Sequence, residues 1–277
     1  LIRRRVRNRL TVSLGASYVW EQRTLLDETL EPERILAAAR PTGKSPQLAA
    51  TVGYDNTRMH PFSISPEDGL SGYARVRRRW DPTMPTSLVA APGANGAWAD
   101  LTGELKLFKA LTLPGFAHHV LAVRASGGTA WGSGADASFY GIGGTTGQAE
   151  HISGLKLLSL STLRFPVRGY PWGVRAGSTA WSASVEYRFP VTRLNRGFGS
   201  TPFYGDWLSG SLFVDAGNAW GPETRRNSHG RAASVGSELL ISGLPLWTTP
   251  TVLRTGLAFP LTDGRRVTVY VRLGLPF

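Results

Sequence analysis

The last eleven residues, Val267-Thr268-Val269-Tyr270-Val271-Arg272-Leu273-Gly274-Leu275-Pro276-Phe277, alternate two chemistries. Val267, Val269, Val271, Leu273, Leu275 and Phe277 fall on one side of an extended chain. Thr268, Tyr270, Arg272 and Gly274 fall on the other. Period two marks a β-strand, because successive Cβ atoms leave the pleat in opposite directions. One side is wholly apolar and the other carries a charge, so the two sides of this strand meet different surroundings.

Working outward, the same alternation recurs. Leu10, Val12, Leu14, Ala16, Tyr18 and Trp20 alternate with Thr11, Ser13, Gly15 and Ser17. Trp181, Ala183, Val185, Tyr187 and Phe189 alternate with Ser182, Ser184, Glu186 and Arg188. Leu208, Leu212, Val214 and Ala216 oppose Ser209, Ser211 and Asp215, and Leu253, Leu257, Phe259 and Leu261 oppose Arg254 and Gly256. Fainter alternation lies near 46–56, 69–80, 97–108, 116–131 and 231–242. This predicts about ten strands, many longer than the roughly 5–6 residues usual in soluble proteins and close to the ~9–11 that a tilted membrane crossing requires. Trp20, Trp80, Trp131, Trp181, Trp220 and Trp247 sit at predicted strand ends, as interfacial girdles do. Alternation alone also fits a large soluble sandwich or propeller; strand length favours the all-β, antiparallel transmembrane barrel. Long connections are expected at 21–45, 81–96, 132–178 and 221–230, and short ones at 109–115 and 262–264. The segments 57–68 and 191–206 are longer than ideal periplasmic turns.

Composition narrows the class. Charged residues make up 18% of the 277, against about 25% in soluble domains, and glycine is abundant at 33. No stretch approaches the ~20 apolar residues of a membrane helix, which says nothing about strands. With no cysteine, disulfides and Cys-based zinc sites are excluded. The formal charge of +12 raises nucleic acid as a partner. The arginines, however, are dispersed among strand positions. The dense run Arg3, Arg4, Arg5, Arg7 and Arg9 reads first as a solvated chain end or rim, then as a contact to anionic headgroups, and nucleic acid is not expected. The start Leu1-Ile2-Arg3 reads as a processed or excised piece of a longer polypeptide.

Four stretches carry a more specific signal. Tyr54-Asp55-Asn56-Thr57-Arg58 leads through Pro61 and Pro66 to Asp68-Gly69. Phe139-Tyr140-Gly141-Ile142-Gly143-Gly144 is followed by Val167-Arg168-Gly169-Tyr170 and Glu186-Tyr187-Arg188-Phe189-Pro190. Phe213-Val214-Asp215-Ala216-Gly217-Asn218-Ala219-Trp220 precedes the end at Phe277. In this order they resemble the BamA/TamA/FhaC outer-membrane assembly and translocation superfamily, the bacterial surface antigen domain. They match its Pro-containing turn, its long loop with the VRGF/VRGY motif, its "E-(Y/F)-x-x-P" strand and its "F-x-D-x-G-x-x-W" strand. One departure is an insert between Gly144 and Arg168, where the family's motifs lie only a few residues apart.

The resemblance implies an integral outer-membrane barrel of a Gram-negative-type cell, with sixteen strands. Residues 1–277 would be its C-terminal part, with about ten strands, a long inward-folding loop at about 132–178, and about six strands upstream. It implies a loop-anchor motif, Val167, Arg168, Gly169 and Tyr170, with Glu186 and Asp215 as its lumen partners. A guanidinium forks naturally onto carboxylates. In a wet lumen the pair is expected to contribute about 1 kcal/mol. The closing strand and C-terminal signal would include Val271, Leu273, Leu275 and Phe277. The implied function is assembly, insertion or translocation of polypeptides. A polypeptide-secretion pore, or an anchoring barrel fused to a periplasmic domain, is the alternative. Implied partners are outer-membrane lipid, client outer-membrane or secreted polypeptides, and periplasmic or lipoprotein accessory subunits.

No enzyme is expected. His60, His118, His119, His151 and His229 form no H-x-x-x-H or H-E-x-x-H pattern. Adjacent His118 and His119 point to opposite faces of a strand. There is no G-x-S-x-G and no Walker motif, and Gly141-Ile142-Gly143-Gly144 lacks a strand–loop–helix setting. No cofactor, metal or catalytic residue is expected. Asp136 and His151 fall in an expected external loop, where an acid–base pair would have to form for an enzyme reading.

Overall fold

A computed structural model of the chain describes residues 8–21, 43–80, 97–132, 140–145, 163–197, 199–200, 203–221, 230–245, 251–262 and 266–274. The alternating stretches become β1 (Arg9–Glu21), β2 (Gly43–Asp55), β3 (Gly69–Arg79), β4 (Trp98–Leu111) and β5 (His119–Trp131). Three short strands follow inside the long connection: β6 (Tyr140–Ile142), β7 (Leu163–Phe165) and β8 (Arg175–Gly177). The remaining strands are β9 (Thr179–Gly197), β10 (Phe203–Trp220), β11 (Ala232–Pro245), β12 (Thr251–Pro260) and β13 (Thr268–Gly274). All the described elements are β-strands, and among the described residues no helix is long and apolar enough to cross a membrane.

Ten strands pair antiparallel in one sheet, in the order β1-β2-β3-β4-β5-β9-β10-β11-β12-β13. Each strand pairs with the next along the chain except at β5–β9, where β6, β7 and β8 form a separate small sheet. Its two edges are β1 and β13; among the described residues they do not pair, so the sheet is not closed into a barrel.

The facing of the strands follows their chemistry. Val185, Leu257, Phe259, Val269, Val271 and Leu273 are exposed on the outer face. Arg188 and Arg254 are buried on the inner face, and the Arg272 side chain is 15% exposed. Two-residue periodicity leaves no intermediate: a one-residue slip would move every charged group to the apolar side. Trp80, Trp131 and Trp220 are exposed at strand ends, all on the side of the long connections.

The connections differ from expectation in two places. The 191–206 segment is mostly strand, because β9 runs to Gly197 and β10 starts at Phe203. Pro190, which has no N–H to donate, is accommodated where the β9–β10 register shifts between Leu208 and Ser209. The β12–β13 connection, although short, belongs to the same side as the long ones. At the opposite side, the 56–68 turn is locked by its own polar groups. Asp55 accepts from the Thr57 amide at 2.8 Å and Asn56 from the Leu70 amide at 2.6 Å. Glu67, nearly buried, accepts from Ser63 at 2.6 Å and lies 2.9 Å from His118 Nδ1, tying this turn to the next one. His119 contacts the Tyr187 hydroxyl instead, so the two histidines do part. Of the arginine run, Arg3 to Arg7 lie outside the described residues and Arg9 opens β1.

Candidate functional site: a loop seated on the inner wall

The long connection is a built element. Its first limb (140–145) pairs parallel with β7 and antiparallel with β8. The Gly143 amide donates to Phe165 O at 3.1 Å, the Gly144 amide to Tyr170 O at 2.8 Å, and Gly144 bridges to Val167. The insert therefore leaves from and returns to one small sheet. That sheet rests on the inner wall through an apolar cluster of Tyr140, Ile142, Phe165, Val167, Tyr170 and Val174 against Ala130, Ala180, Ala219 and Ala232. The wall admits the loop because its inward positions are small: Ser182, Ser184, Ser211 and Ser234 are buried there.

Arg168 sits at the contact, 2% exposed. Its Nε and one terminal nitrogen donate to the two oxygens of Asp215, each at 2.7 Å, and its backbone amide donates to the same carboxylate at 3.0 Å. The guanidinium also donates to Ser184 Oγ at 2.9 Å. Its other terminal nitrogen lies 2.8 Å from Glu186 and 3.3 Å from Glu238, and its plane lies 3.5 Å from the ring centre of Phe213. Burial opposes the cation, but Glu186, Asp215 and Glu238 outweigh it and hold the guanidinium well above its ordinary range. Glu186 is shared, since Arg188 donates to its second oxygen at 2.6 Å.

The neighbours of Arg168 complete the seat. Gly169 has φ +89°, and a Cβ there would come within 3.1 Å of Ala258 and 3.4 Å of Pro260, so glycine answers both backbone and space. The Tyr170 hydroxyl donates to Ala233 O at 2.8 Å and lies 2.6 Å from Thr262 Oγ1. Val167 is fully buried.

The sequence did not single out a second contact, at the other limb. The Tyr140 hydroxyl donates to Asp100 at 3.1 Å, and Asp100 also accepts a two-point contact from Arg77 at 3.2 and 2.6 Å. Arg77 lies 4.7 Å over the Trp98 ring. Burial, then the Asp100 carboxylate, push the Tyr140 hydroxyl up, so it stays a donor. The loop thus meets β4 through one carboxylate and β9–β11 through three.

Ser184, Phe213 and Glu238 also contact Arg168, and no motif in the sequence marks them as its partners. Their signal was the phase itself: Glu238 shares the inward phase of Ser234, Gly236 and Ser242, as Phe213 shares that of Ser211 and Asp215. Val271 and Leu273 stand on the outer face away from the loop, and Leu275 and Phe277 lie outside the described residues. Asp136, His151 and His229 also lie outside them. Among the described residues no group of three or more His, Cys, Asp or Glu is arranged to hold a metal.

No curated protein matches the chain. A family model, the Omp85 superfamily domain, matches residues 2–268. That span takes in all four motif stretches and nearly the whole sheet, and the chain belongs to the Omp85 superfamily.

Proposed function

We propose that this protein is an integral outer-membrane barrel that assembles or translocates polypeptides, and that it acts as an assembly and insertion barrel. Family membership carries the general reading. The supporting observation for the specific one is β13, whose outer side presents Val269, Val271 and Leu273 and whose second edge pairs with no strand among the described residues. A client strand would add there by backbone hydrogen bonding, with no catalytic residue. The ten-stranded sheet is read as part of a sixteen-stranded barrel, and Val167–Tyr170 as the anchor of its lumen loop on Glu186 and Asp215. Lipid, client polypeptides and periplasmic or lipoprotein accessory subunits are the proposed partners.

The test is depletion of the full-length protein in its native cell, followed by pulse-labelling of outer-membrane proteins. Unfolded outer-membrane proteins should accumulate. Their normal folding, with loss of one secreted polypeptide, would sink the assembly reading and favour the secretion pore. Normal folding with no secretion defect would favour the anchor.

A further inference from the structure

Glu238 stands outside the loop motif, yet its carboxylate faces four groups from three elements. It lies 3.3 Å from Arg168 in the loop, 3.6 Å from Arg254 on β12 and 3.5 Å from Arg272 on β13, and it accepts 2.7 Å from the Tyr270 hydroxyl on β13. The register explains the reach. Glu238 pairs with Gly256, and Gly256 with Tyr270, so the three form one row across β11, β12 and β13. A Cβ on Gly256 would clash with the phenol end of the Tyr270 ring. The ring therefore lies across the bare glycine and delivers its hydroxyl one strand further on. Arg272 meanwhile donates to the Thr145 carbonyl of the loop's first limb at 2.6 Å.

This matters because, among the described residues, β13 lies at the edge of the sheet and its backbone is held on one side only. Its ladder with β12 spans seven pairs among the described residues, from Val252↔Gly274 to Ala258↔Thr268, the shortest in the large sheet. The contacts of the Arg168 side chain lie on β9, β10 and β11. The backbone beside Arg168 touches β13 directly, where Thr268 Oγ1 donates to Gly169 O at 3.1 Å, but the route from the guanidinium itself to β13 runs through Glu238.

We propose that Glu238 is a positioning residue that couples the seating of the loop to the attachment of the edge strand. With Arg168 seated, its charge holds the Glu238 carboxylate where Tyr270 reaches it. With Arg168 withdrawn, the carboxylate faces only Arg254 and Arg272 and turns toward them. Tyr270 then loses its acceptor, and β13 keeps its ladder and the contacts of Thr268 and Arg272 with the loop backbone. The consequence for clients rests on reading β13 as the edge they meet; the coupling itself rests on the contacts above.

Hydrogen–deuterium exchange of the full-length protein in lipid nanodiscs tests it, read at the amides of 268–274. E238Q should speed their exchange by about tenfold, the scale of one lost charge-assisted hydrogen bond. R168K, whose side-chain contacts lie on β9, β10 and β11, and G256A, which displaces the Tyr270 ring, should do the same. R168K combined with E238Q should add nothing beyond E238Q alone, because both act through one carboxylate. Unchanged β13 exchange in R168K, or additive effects in the double variant, would overturn the coupling. If E238Q does not fold, R168K and G256A approach Glu238 from opposite sides and decide it. Client folding measured on the same variants separates the two readings. Coupled exchange with undisturbed clients overturns the assembly role of β13 and leaves the coupling, whereas uncoupled exchange overturns the coupling whatever the clients do.

Discussion

Arg168 is surrounded by Asp215, Glu186 and Glu238; it is buried with Asp215 and Glu238, and the Glu186 side chain is 12% exposed. The site is drier than the wet-lumen expectation of about 1 kcal/mol assumed. Removing one partner of a buried, hydrogen-bonded ion pair costs about 3–5 kcal/mol, because the other charges stay behind without compensation. Arg168→Ala should lower the stability of the detergent-solubilised protein by that amount, read as the urea midpoint. Arg168→Lys should recover only part of it, since a lysine cannot fork onto both Asp215 oxygens. Equal midpoints for wild type and Arg168→Ala would remove the anchor from the stability argument. Tyr140→Phe should be milder, about 1 kcal/mol, because Asp100 keeps its two contacts from Arg77. A loss as large as that of Arg168→Ala would mean that Asp100 depends on the loop more than on its own wall.

At the scale of the element, the strands were legible because a strand writes its faces locally. Residues 182, 184, 186 and 188 announce an inner phase without any knowledge of what pairs with them. The extension of β9 to Gly197 was not legible, because Pro190 reads as a strand breaker and only the partner strand shows where a register shift absorbs it. The loop contacts were half legible. Glu186 and Asp215 fall on the inner phase of their strands, whereas Arg168 is marked as an anchor only by the Val167–Tyr170 motif and its resemblance. Tyr140 and Asp100 are brought together across 40 residues by tertiary folding, which leaves no mark of fixed spacing. The cysteine-free chain allows a direct check of facing. Single cysteines at 183, 185 and 187 should react with a membrane-dissolved maleimide, and those at 182 and 184 should not. Interchanged reactivity would reverse the assignment of β9. Arginine in place of Val185 should cost about 2–4 kcal/mol if that position lies near the bilayer midplane.

The whole molecule presents apolar side chains on the outside of nearly every long strand and polar ones within. A soluble fold inverts that arrangement. The full-length protein should therefore need detergent or lipid to stay monodisperse, and the circular dichroism of this region should be dominated by β-structure. A monodisperse preparation in plain buffer would contradict the membrane reading outright. Among the described residues β1 and β13 each pair on one side only, and a bilayer does not tolerate a row of unpaired backbone groups in hydrocarbon. On the membrane reading, each of these edges is expected to pair with a further strand in the full-length protein.

The parallel pairing of Tyr140–Ile142 with Leu163–Phe165, together with the bridge from Gly144 to Val167, has a consequence for evolution and for engineering. Where a detour begins and ends at one fixed clasp, its length is no longer a structural variable: closing a longer excursion costs only a logarithmic increment of entropy. The sequence between Thr145 and Leu163 is thus expected to tolerate exchange. Replacing it with a short glycine–serine bridge, or with an epitope tag, should leave the urea midpoint within about 1 kcal/mol of wild type, whereas the same exchange across 163–170 should not. If the bridged protein unfolds as early as Arg168→Ala, the detour is part of the clasp and not a passenger on it.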